Sequence, residues 1–324
     1  MPNIDLLLIR TLTKRGEQML RYIIGRVLQT IPVLIGITIL VFGMLHIIPG
    51  DPAKMIVGLE APKEVIEAVR DDLGLNKPLH EQFYIFVKNI FVGDLGTSIR
   101  TGIPVTEELA KKFPVTIAIA IGATLFATVF GMLGGILAAI RQNKLTDGVV
   151  MVLSLLAVST PSYFLGLILI LLFSLYLGWL PPFGVSSPYH YILPIVTLGA
   201  QSMGLIARMT RSSMLDVIRQ DYIRTARAKG LPERVVVYIH GLKNALIPVI
   251  TVVGLRFGLL LAGTILIEVV FSIPGIGRYM VDAILMRDYP VVQGSILFVA
   301  TSFVFINIIV DIAYKLVDPR IRYG

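Results

Sequence analysis

The chain has 324 residues, of which 55% are hydrophobic and only 15% are charged, whereas about a quarter of the residues in a typical soluble domain are charged. Together with a mean hydropathy of +0.81, this composition excludes an ordinary water-soluble domain and predicts an all-α membrane protein. The absence of cysteine excludes disulfides, cysteine-ligated zinc and a thiol nucleophile.

Six apolar segments are long enough to cross a bilayer, which takes about 20 residues. The third contains Pro161, which predicts a kink or a tilt. The fourth is short and contains Gln201, so its apolar signal is the weakest. The predicted transmembrane helices are Val27–Ile48, Val115–Ile140, Val149–Leu177, Tyr191–Ile206, Ala245–Ile267 and Val291–Val310.

The distribution of lysine and arginine predicts which side of the membrane each loop occupies. With both termini in the cytoplasm, most of the 29 Lys and Arg residues lie in cytoplasmic segments, as the positive-inside rule requires. The formal net charge of +8 therefore reflects topology and does not indicate nucleic-acid binding. We expect cytoplasmic segments at 1–26 and 317–324, and the sequence leaves Met1 and Met19 open as alternative starts.

Residues 49–113 form a small predicted extracytoplasmic region between the first span, 27–48, and a core of five spans at 114–316. It is too short and too poor in apolar residues for a large independent core, so we expect it to pack on the spans. Two short helices are predicted in it, Pro62–Leu73, ended by Gly74, and Leu79–Phe91. The apolar face of the second helix consists of Phe83, Phe86 and Ile90.

The cytoplasmic loop 207–244 carries regular start and stop signals for helices. Ser212 or Ser213 can cap a helix start, and Gly230 fits a helix end, where a left-handed residue costs least. Pro232 and Glu233 suit the first turn of a second helix. The loop is therefore predicted to be a helix, a glycine elbow and a second helix, with Asn244 capping the fifth span. A solvated loop whose basic residues only set the topology is the alternative.

Motifs for common enzyme chemistry are absent from the sequence. There is no GxxxxGK[ST], GxGxxG, HExxH or GxSxG pattern, and the four histidines are scattered. We therefore expect no enzymatic activity, no cofactor and no metal site, and any energy input has to come from another subunit.

Two ionisable residues lie within or at the edge of predicted spans. Arg256 lies about 15 Å deep in the fifth span at 1.5 Å per residue, and Asp311 lies close to the inner end of the sixth. Such groups are costly in hydrocarbon and usually face a partner charge or a pathway. Either Arg256 and Asp311 form an intramembrane ion pair, or Arg256 lines a pathway for an anionic substrate group. Glu268, at the outer end of the fifth span, is expected at the interface or at a docking surface.

Several motifs, in this order, resemble those of the inner-membrane permeases of binding-protein-dependent ABC importers. The likeness runs from about Arg21 to Gly324 and is strongest to the first permease of the dipeptide/oligopeptide and nickel group. The motifs are Pro49-Gly50-Asp51-Pro52, Leu73-Gly74-Leu75 with Pro78, Gly93-Asp94-Leu95-Gly96 with Ser98, Pro161-Ser162, the cytoplasmic loop, Phe271-Ser272-Ile273-Pro274-Gly275-Ile276-Gly277-Arg278, and Asp318-Pro319-Arg320.

In this family the cytoplasmic loop motif begins with Glu-Ala-Ala and fits a groove on the ATPase subunit. In this chain Arg224-Thr225-Ala226 stands in place of Glu-Ala-Ala, the glycine of the motif is Gly230, and the motif ends at Leu246-Ile247-Pro248. Because the glutamate is missing, a contact with the ATPase through its carboxylate is not expected. The resemblance implies that the ATPase-coupling residues are Tyr222, Arg224, Thr225, Ala226, Arg227, Ala228, Lys229, Gly230, Leu231 and Pro232.

The resemblance further implies a type I ABC importer permease in a bacterial or archaeal cytoplasmic membrane. Its partners would be a second, homologous permease, two ATPase subunits that bind the ATP, an extracytoplasmic substrate-binding protein and a short peptide as cargo. Nickel chelates, glutathione or short sugars are alternative cargoes. A self-contained secondary transporter would need coupling-ion sites near the midplane, for which one Arg and one Asp are thin support, and a membrane enzyme is disfavoured by the missing motifs.

Overall fold

The computed structural model describes residues 24–44, 52–58, 61–72 and 74–317. Within these ranges the regular structure is helical, and the strand-like feature they contain is an isolated bridge between Thr97 and Pro104. Five helices are long and apolar enough to cross a membrane, or six if one sharply bent pair is a single span. The prediction of an all-α membrane protein is confirmed.

The helices follow the chain with short connections. They are α1 (Ile24–Met44), α2 (Pro52–Val57), α3 (Lys63–Asp72), α4 (Leu79–Phe91), α5 (Val105–Ile140), α6 (Leu145–Ser159), α7 (Ser162–Leu169), α8 (Ile192–Ile218), α9 (Asp221–Ala228), α10 (Glu233–Val235), α11 (Leu242–Val270), α12 (Ile276–Met286) and α13 (Tyr289–Val317). Two π-helical segments, Ile170–Tyr176 and Val236–Gly241, follow α7 and α10, and a 3₁₀ turn, Pro188–Tyr191, precedes α8.

The chain divides into two compact units. The flanking unit comprises Met1–Leu109 and Ala283–Ile312, and the central unit comprises Ala110–Asp282 and Ala313–Gly324. Parts of both terminal segments, and the predicted ends of the first span and of the third helix at Ile48 and Leu73, lie outside the described residues.

The central unit is built around α8, which packs against α6, α7 and α11. Its largest core cluster includes Ile119 of α5, Leu198 of α8 and Leu260 of α11. Small residues let α5 approach α8 closely, because a Cβ on Gly131 or Gly135 would collide with a carbonyl oxygen of α8. Such small-residue contacts are typical of helix packing in membranes, where apolar side chains gain little by leaving lipid.

The third predicted span is broken more sharply than a kink or a tilt. Helices α6 and α7 meet at 110° around Thr160 and Pro161, because a residue that precedes proline is driven out of the helical region. The break frees the carbonyl of Thr160, and the Gln201 amide donates to it at 3.0 Å. Gln201, which makes the apolar signal of the fourth span the weakest in the sequence, therefore satisfies a backbone carbonyl inside the helix bundle.

Two other predicted details of the core were wrong, and one helix was missed. Helix α8 continues to Ile218, so Ser212 and Ser213 lie inside it and cap nothing. The reason is that its apolar face continues through Met214, which is buried against Ile136 and Val237. Asn244 lies inside α11, because the preceding π-helical segment leads directly into that helix. Helix α12 was not predicted.

In the flanking unit, α1 and α13 are joined by polar contacts at two levels. The Gln293 amide donates to the carbonyl of Val41 at 2.9 Å, and Arg26 and Asp311 form an ion pair at 2.6 Å. Helix α4, whose predicted bounds agree with the structure, packs Phe83 and Phe86 on Phe42 of α1, with ring centroids 5.2 and 5.7 Å apart.

A bidentate ion pair holds the start of α6 against α8. The Arg211 Nε and Nη2 atoms lie 2.6 and 2.7 Å from the two carboxylate oxygens of Asp147. The same carboxylate accepts the backbone N–H of Asn143, which has a positive φ of 62° in the turn before α6. Because Asp147 is buried, this pair fixes both the turn and the approach of two helices.

We predict that Arg211→Met destabilises the protein by about 3 kcal/mol, because it leaves the Asp147 carboxylate buried without its counter-ion. Thermal unfolding of the purified complex measures the effect. Arg70→Met is the matched control: it breaks the exposed pair with Glu67 and is expected to cost less than about 1 kcal/mol. Equal losses in the two variants would show that the Asp147–Arg211 pair has no special role.

Candidate functional site

The coupling segment, Tyr222–Pro232, has the predicted order of helix, glycine elbow and helix. Gln220 stands in extended conformation before α9, and Lys229 ends the helix. Gly230 then adopts a φ of +76°, which L residues rarely adopt, and Pro232 leads into α10. The glycine and the proline thus set the angle between the two helices.

The short helix α9 has two different faces. Ile223 and Ala226 are buried and pack on Val236 of the π-helical segment and on Val217 at the end of α8. The opposite face presents Arg224, Thr225 and Lys229 to solvent, and Tyr222 and Leu231 are also exposed. One face therefore fixes the helix to the central unit, and the other is free to meet another protein.

Two polar contacts add to this attachment, and sequence reasoning found neither. Arg227 spans the elbow and donates to both carboxylate oxygens of Glu233, at 3.1 and 2.7 Å. The hydrogen bond from Arg227 holds the pKa of Glu233 below its ordinary value. The pair therefore persists at neutral pH and is lost only as the pH falls through that lowered pKa. The Asn244 amide of α11 donates to the Tyr222 hydroxyl at 2.8 Å.

The two intramembrane candidates fall in different units. Asp311 of α13 is paired with Arg26 of α1, a partner that the sequence analysis did not consider. Arg256 lies midway along α11, partly buried, on the same helix face as Val249 and Leu260. Its role as a pathway residue stays a prediction.

Glu268 is not at the surface, contrary to its predicted place at the interface or a docking surface. It is fully buried near the end of α11. The Thr116 hydroxyl of α5 donates to one carboxylate oxygen at 2.6 Å, and the backbone N–H of Arg278 in α12 donates to the other at 3.1 Å. The carboxylate is buried because donors from two other helices surround it, an arrangement that no local sequence pattern reveals.

The motif Phe271–Arg278 forms the corner between α11 and α12 and is shaped around this carboxylate. The Thr116 hydroxyl also accepts the backbone N–H of Ile276, at 3.0 Å. A Cβ on Gly275 would collide with the carboxylate of Glu268, and one on Gly277 with the backbone of Ile265. We call residues Glu268, Thr116 and Phe271–Arg278 the buried corner.

Helix α11 joins the coupling segment to the buried corner. It has 29 residues and is therefore about 43 Å long. Asn244, in its first turn, bonds the coupling segment, and Glu268, in its last turn, bonds the corner. A single helix, which contains Pro248, therefore connects the coupling segment with the far end of the central unit. In the described part of the chain, no cluster of histidine and acidic side chains could hold a metal ion.

A bundle of membrane helices with a short, exposed helix fastened to one end suits a membrane subunit that meets another protein at that helix. Residues 131–323 match the family described as the binding-protein-dependent transport system inner membrane component, and residues 19–120 match the N-terminal part of such membrane components.

Relatives and solved structures agree with this match. Glutathione transport system permease proteins from Escherichia coli O6:H1 and Salmonella typhi are each 48% identical over 305 residues, covering 94% of this chain and 100% of theirs. The fold is similar to an amino acid ABC transporter with histidines (TM-score 0.51, 14% identity, 67% of this chain and 95% of that chain). It is also similar to the inward-facing MetNI methionine ABC transporter (TM-score 0.53, 20% identity, 65% and 96%).

The chain belongs to the family of binding-protein-dependent inner-membrane permeases of ABC importers. It is a multi-pass subunit of the inner membrane, and ATP is hydrolysed by a separate subunit. Membership in this family implies that the chain works with ATPase subunits, a substrate-binding protein and a second permease.

We predict that Gly275→Ala lowers the stability of the protein by about 1–3 kcal/mol, because the added methyl group displaces the Glu268 carboxylate from its donors. The thermal midpoint of the purified complex is the measurement. The control is Gly148→Ala in α6, where a Cβ meets nothing within 4 Å and the change favours helix formation. The buried corner would lose its structural role if both variants melted like the parent.

Proposed function

We propose that this permease imports short peptides, and that glutathione, a peptide-like tripeptide, belongs to its cargo class. The observation that carries the proposal is the 48% identity, over 94% of the chain, to permeases of glutathione transport systems. Nickel chelates and short sugars remain alternative cargoes, because permeases of this group resemble each other and the binding protein does much of the selecting.

The coupling segment is the proposed contact with the ATPase. Its exposed face carries Arg224, Thr225 and Lys229, with Tyr222 and Leu231 beside them. Arginine and aromatic side chains such as Arg224 and Tyr222 are enriched at protein interfaces. Its buried face and its contacts to Glu233 and Asn244 hold it rigidly. Because the segment is rigidly attached, a movement of the ATPase would be transmitted to the membrane helices of the permease.

Transport of the cargo through the permease would proceed by alternating access. ATP binding would draw two ATPase subunits together, and each would pull a coupling segment, so that two homologous permeases rotate as rigid bodies. Both termini are proposed to be cytoplasmic, which places the coupling segment on the ATPase side. Arg256 is the proposed pathway cation for a carboxylate of the peptide, since charged residues within spans usually serve a pathway or a partner charge.

Residues 49–113 and the loop 272–289 are the proposed contacts with the binding protein or the partner permease. Within the flanking unit, the buried Asp288 connects parts of both regions, since its carboxylate accepts the Ser98 hydroxyl and the backbone N–H of Ile99. The Arg100 guanidinium donates to the carbonyl of Met286 at 3.1 Å. The parts of the two segments that lie in the flanking unit are thus joined to each other.

The direct test is ATP hydrolysis and uptake by the complex reconstituted into vesicles with its second permease, its ATPases and its binding protein. Binding protein loaded with a di- or tripeptide, or with glutathione, is expected to stimulate hydrolysis and to drive uptake of the labelled cargo. Stimulation by a nickel chelate or a short sugar in place of peptides would overturn the cargo assignment. The same conclusion would follow if no di- or tripeptide stimulated hydrolysis in a complex that contains the ATPases.

We predict that Arg227→Glu abolishes the stimulation of ATP hydrolysis by loaded binding protein, because two carboxylates then face each other across the elbow. The reversed pair, Arg227→Glu with Glu233→Arg, restores the contact and is expected to recover most of the stimulation. Gly230→Pro is also expected to lose it, since proline cannot adopt the positive φ of the elbow.

Insertion and assembly of these three variants are checked by co-purification of all subunits. If Arg227→Glu and Gly230→Pro assemble and are stimulated like the parent, the coupling segment is only a topology signal. A reversed pair that stays uncoupled would show that Arg227 itself touches the ATPase.

A further inference from the structure

A deep apolar slot lies within the flanking unit, between α1 and α13 and beneath α4. Its volume is about 860 Å³. Leu34 and Ile35 of α1 form one wall, Leu297 and Phe298 of α13 form the other, and Phe83 and Val87 of α4 form the roof. Since α1 and α13 both have the length and composition of membrane spans, the slot lies at hydrocarbon depth.

Contacts above, below and at the roof fix the walls of the slot. The bond from Gln293 to Val41 joins α1 and α13 above the wall residues, and the Arg26–Asp311 ion pair joins them below. The roof is fixed because Phe83 packs on Phe42 of α1 and because the Thr106 hydroxyl donates to the carbonyl of Gly93, just after α4. The slot is therefore a built feature, not a gap between loosely packed helices.

The residues that line the slot favour a hydrocarbon occupant. Two of its hydroxyl groups, those of Thr38 and Thr106, donate to the backbone carbonyls of Leu34 and Gly93. A third hydroxyl, that of Thr301, also lines the slot, and most of the remaining lining is aliphatic or aromatic. The slot therefore offers few polar partners to water, and apolar cavities stay dry or bind apolar ligands.

The depth of the slot falls within one leaflet of the bilayer. Its lining on α1 runs from Thr38 to Ile31, which is about 10 Å at 1.5 Å per residue. One leaflet contributes about 15 Å, half of the hydrocarbon core of about 30 Å. An acyl chain that enters at the level of α4 would therefore lie alongside α1 for most of the depth of its own leaflet.

Helix α4 has the features of an interfacial helix that meets lipid headgroups. Tyr84 and Phe91 are 70% and 86% exposed, as in the aromatic belts at membrane surfaces. Lys88 is exposed next to Val87 of the roof. A lysine at this level attracts the phosphate of an anionic lipid.

We propose that this slot binds one acyl chain of an anionic phospholipid, with the headgroup phosphate held at Lys88. The bound lipid would fill the space between α1 and α13 and so complete the packing of the first span. This proposal does not depend on the cargo or on the coupling segment.

The test is native mass spectrometry of the assembled complex, washed with detergent and then supplied with palmitoyl-oleoyl phosphatidylglycerol. One retained phosphatidylglycerol per copy of this chain is expected in the parent. Leu34→Trp and Thr301→Phe, which fill the slot from opposite walls, are expected to lose it. Leu40→Trp, on a 69% exposed position of α1 outside the slot, is the matched control and is expected to keep it.

Lys88→Glu tests the headgroup. It is expected to weaken retention of phosphatidylglycerol by at least about fivefold, the effect of losing one lysine near an anionic lipid. Retention of the zwitterionic palmitoyl-oleoyl phosphatidylethanolamine is expected to weaken less, because the ammonium group of that lipid offsets its phosphate. Equal retention in the parent, Leu34→Trp and Thr301→Phe would overturn the proposal. So would a cross-link from Leu34→Cys, a unique cysteine in this chain, to the partner permease, because the slot would then be a subunit interface.

Discussion

A carboxylate that is buried in a membrane protein has no water to solvate it, so the protein must supply every hydrogen bond that it needs. Glu268 meets this constraint by drawing three helices together. Its two carboxylate oxygens accept hydrogen bonds from the Thr116 hydroxyl of α5 and from a backbone N–H at the start of α12. The helix dipole favours negative charge at that end of α12. A side chain at Gly275 would displace this carboxylate, and a side chain at Gly277 would collide with the backbone of Ile265. The corner that ends α11 is thus fixed by a polar group and not by apolar packing alone.

The opposite end of α11 is fixed in a different way. There the apolar face of α9 packs on Val236, the Asn244 amide bonds Tyr222, and an ion pair spans the glycine elbow. The polar contacts at this end are exposed to solvent and individually weak, so the apolar face provides most of the attachment and the polar contacts set the orientation. We propose that this single helix, held at both ends, transmits the movement of the ATPase across the membrane.

Signals from single residues in the sequence were sufficient to predict those parts of the site whose conformation depends on single residues. Gly230 and Pro232 predicted the elbow, because a positive φ and a fixed φ are properties of single residues. They could not predict the Arg227–Glu233 pair or the Tyr222–Asn244 bond, which depend on how the two helices turn toward each other. The spans were recognised by their apolar length, but the 110° break at Pro161 and the extension of α8 to Ile218 depend on contacts with other helices. Glu268 was misplaced for the same reason, since a lone acid near the end of a span looks interfacial until the donors from Thr116 and Arg278 are in place.

The central claim is that the coupling segment and the buried corner move as one rigid body. The absence of cysteine allows spin labels on Asp221→Cys in α9 and Pro274→Cys at the corner, both of which are exposed. The measurement is the label-to-label distance in the assembled complex, without nucleotide and with a non-hydrolysable ATP analogue plus loaded binding protein. A second pair, between Asp221→Cys and the partner permease, reports that the complex has changed state. The account predicts an unchanged distance within this chain while the distance to the partner shifts. A shift within this chain would show that α11 bends or that the coupling segment moves independently, and would contradict the account.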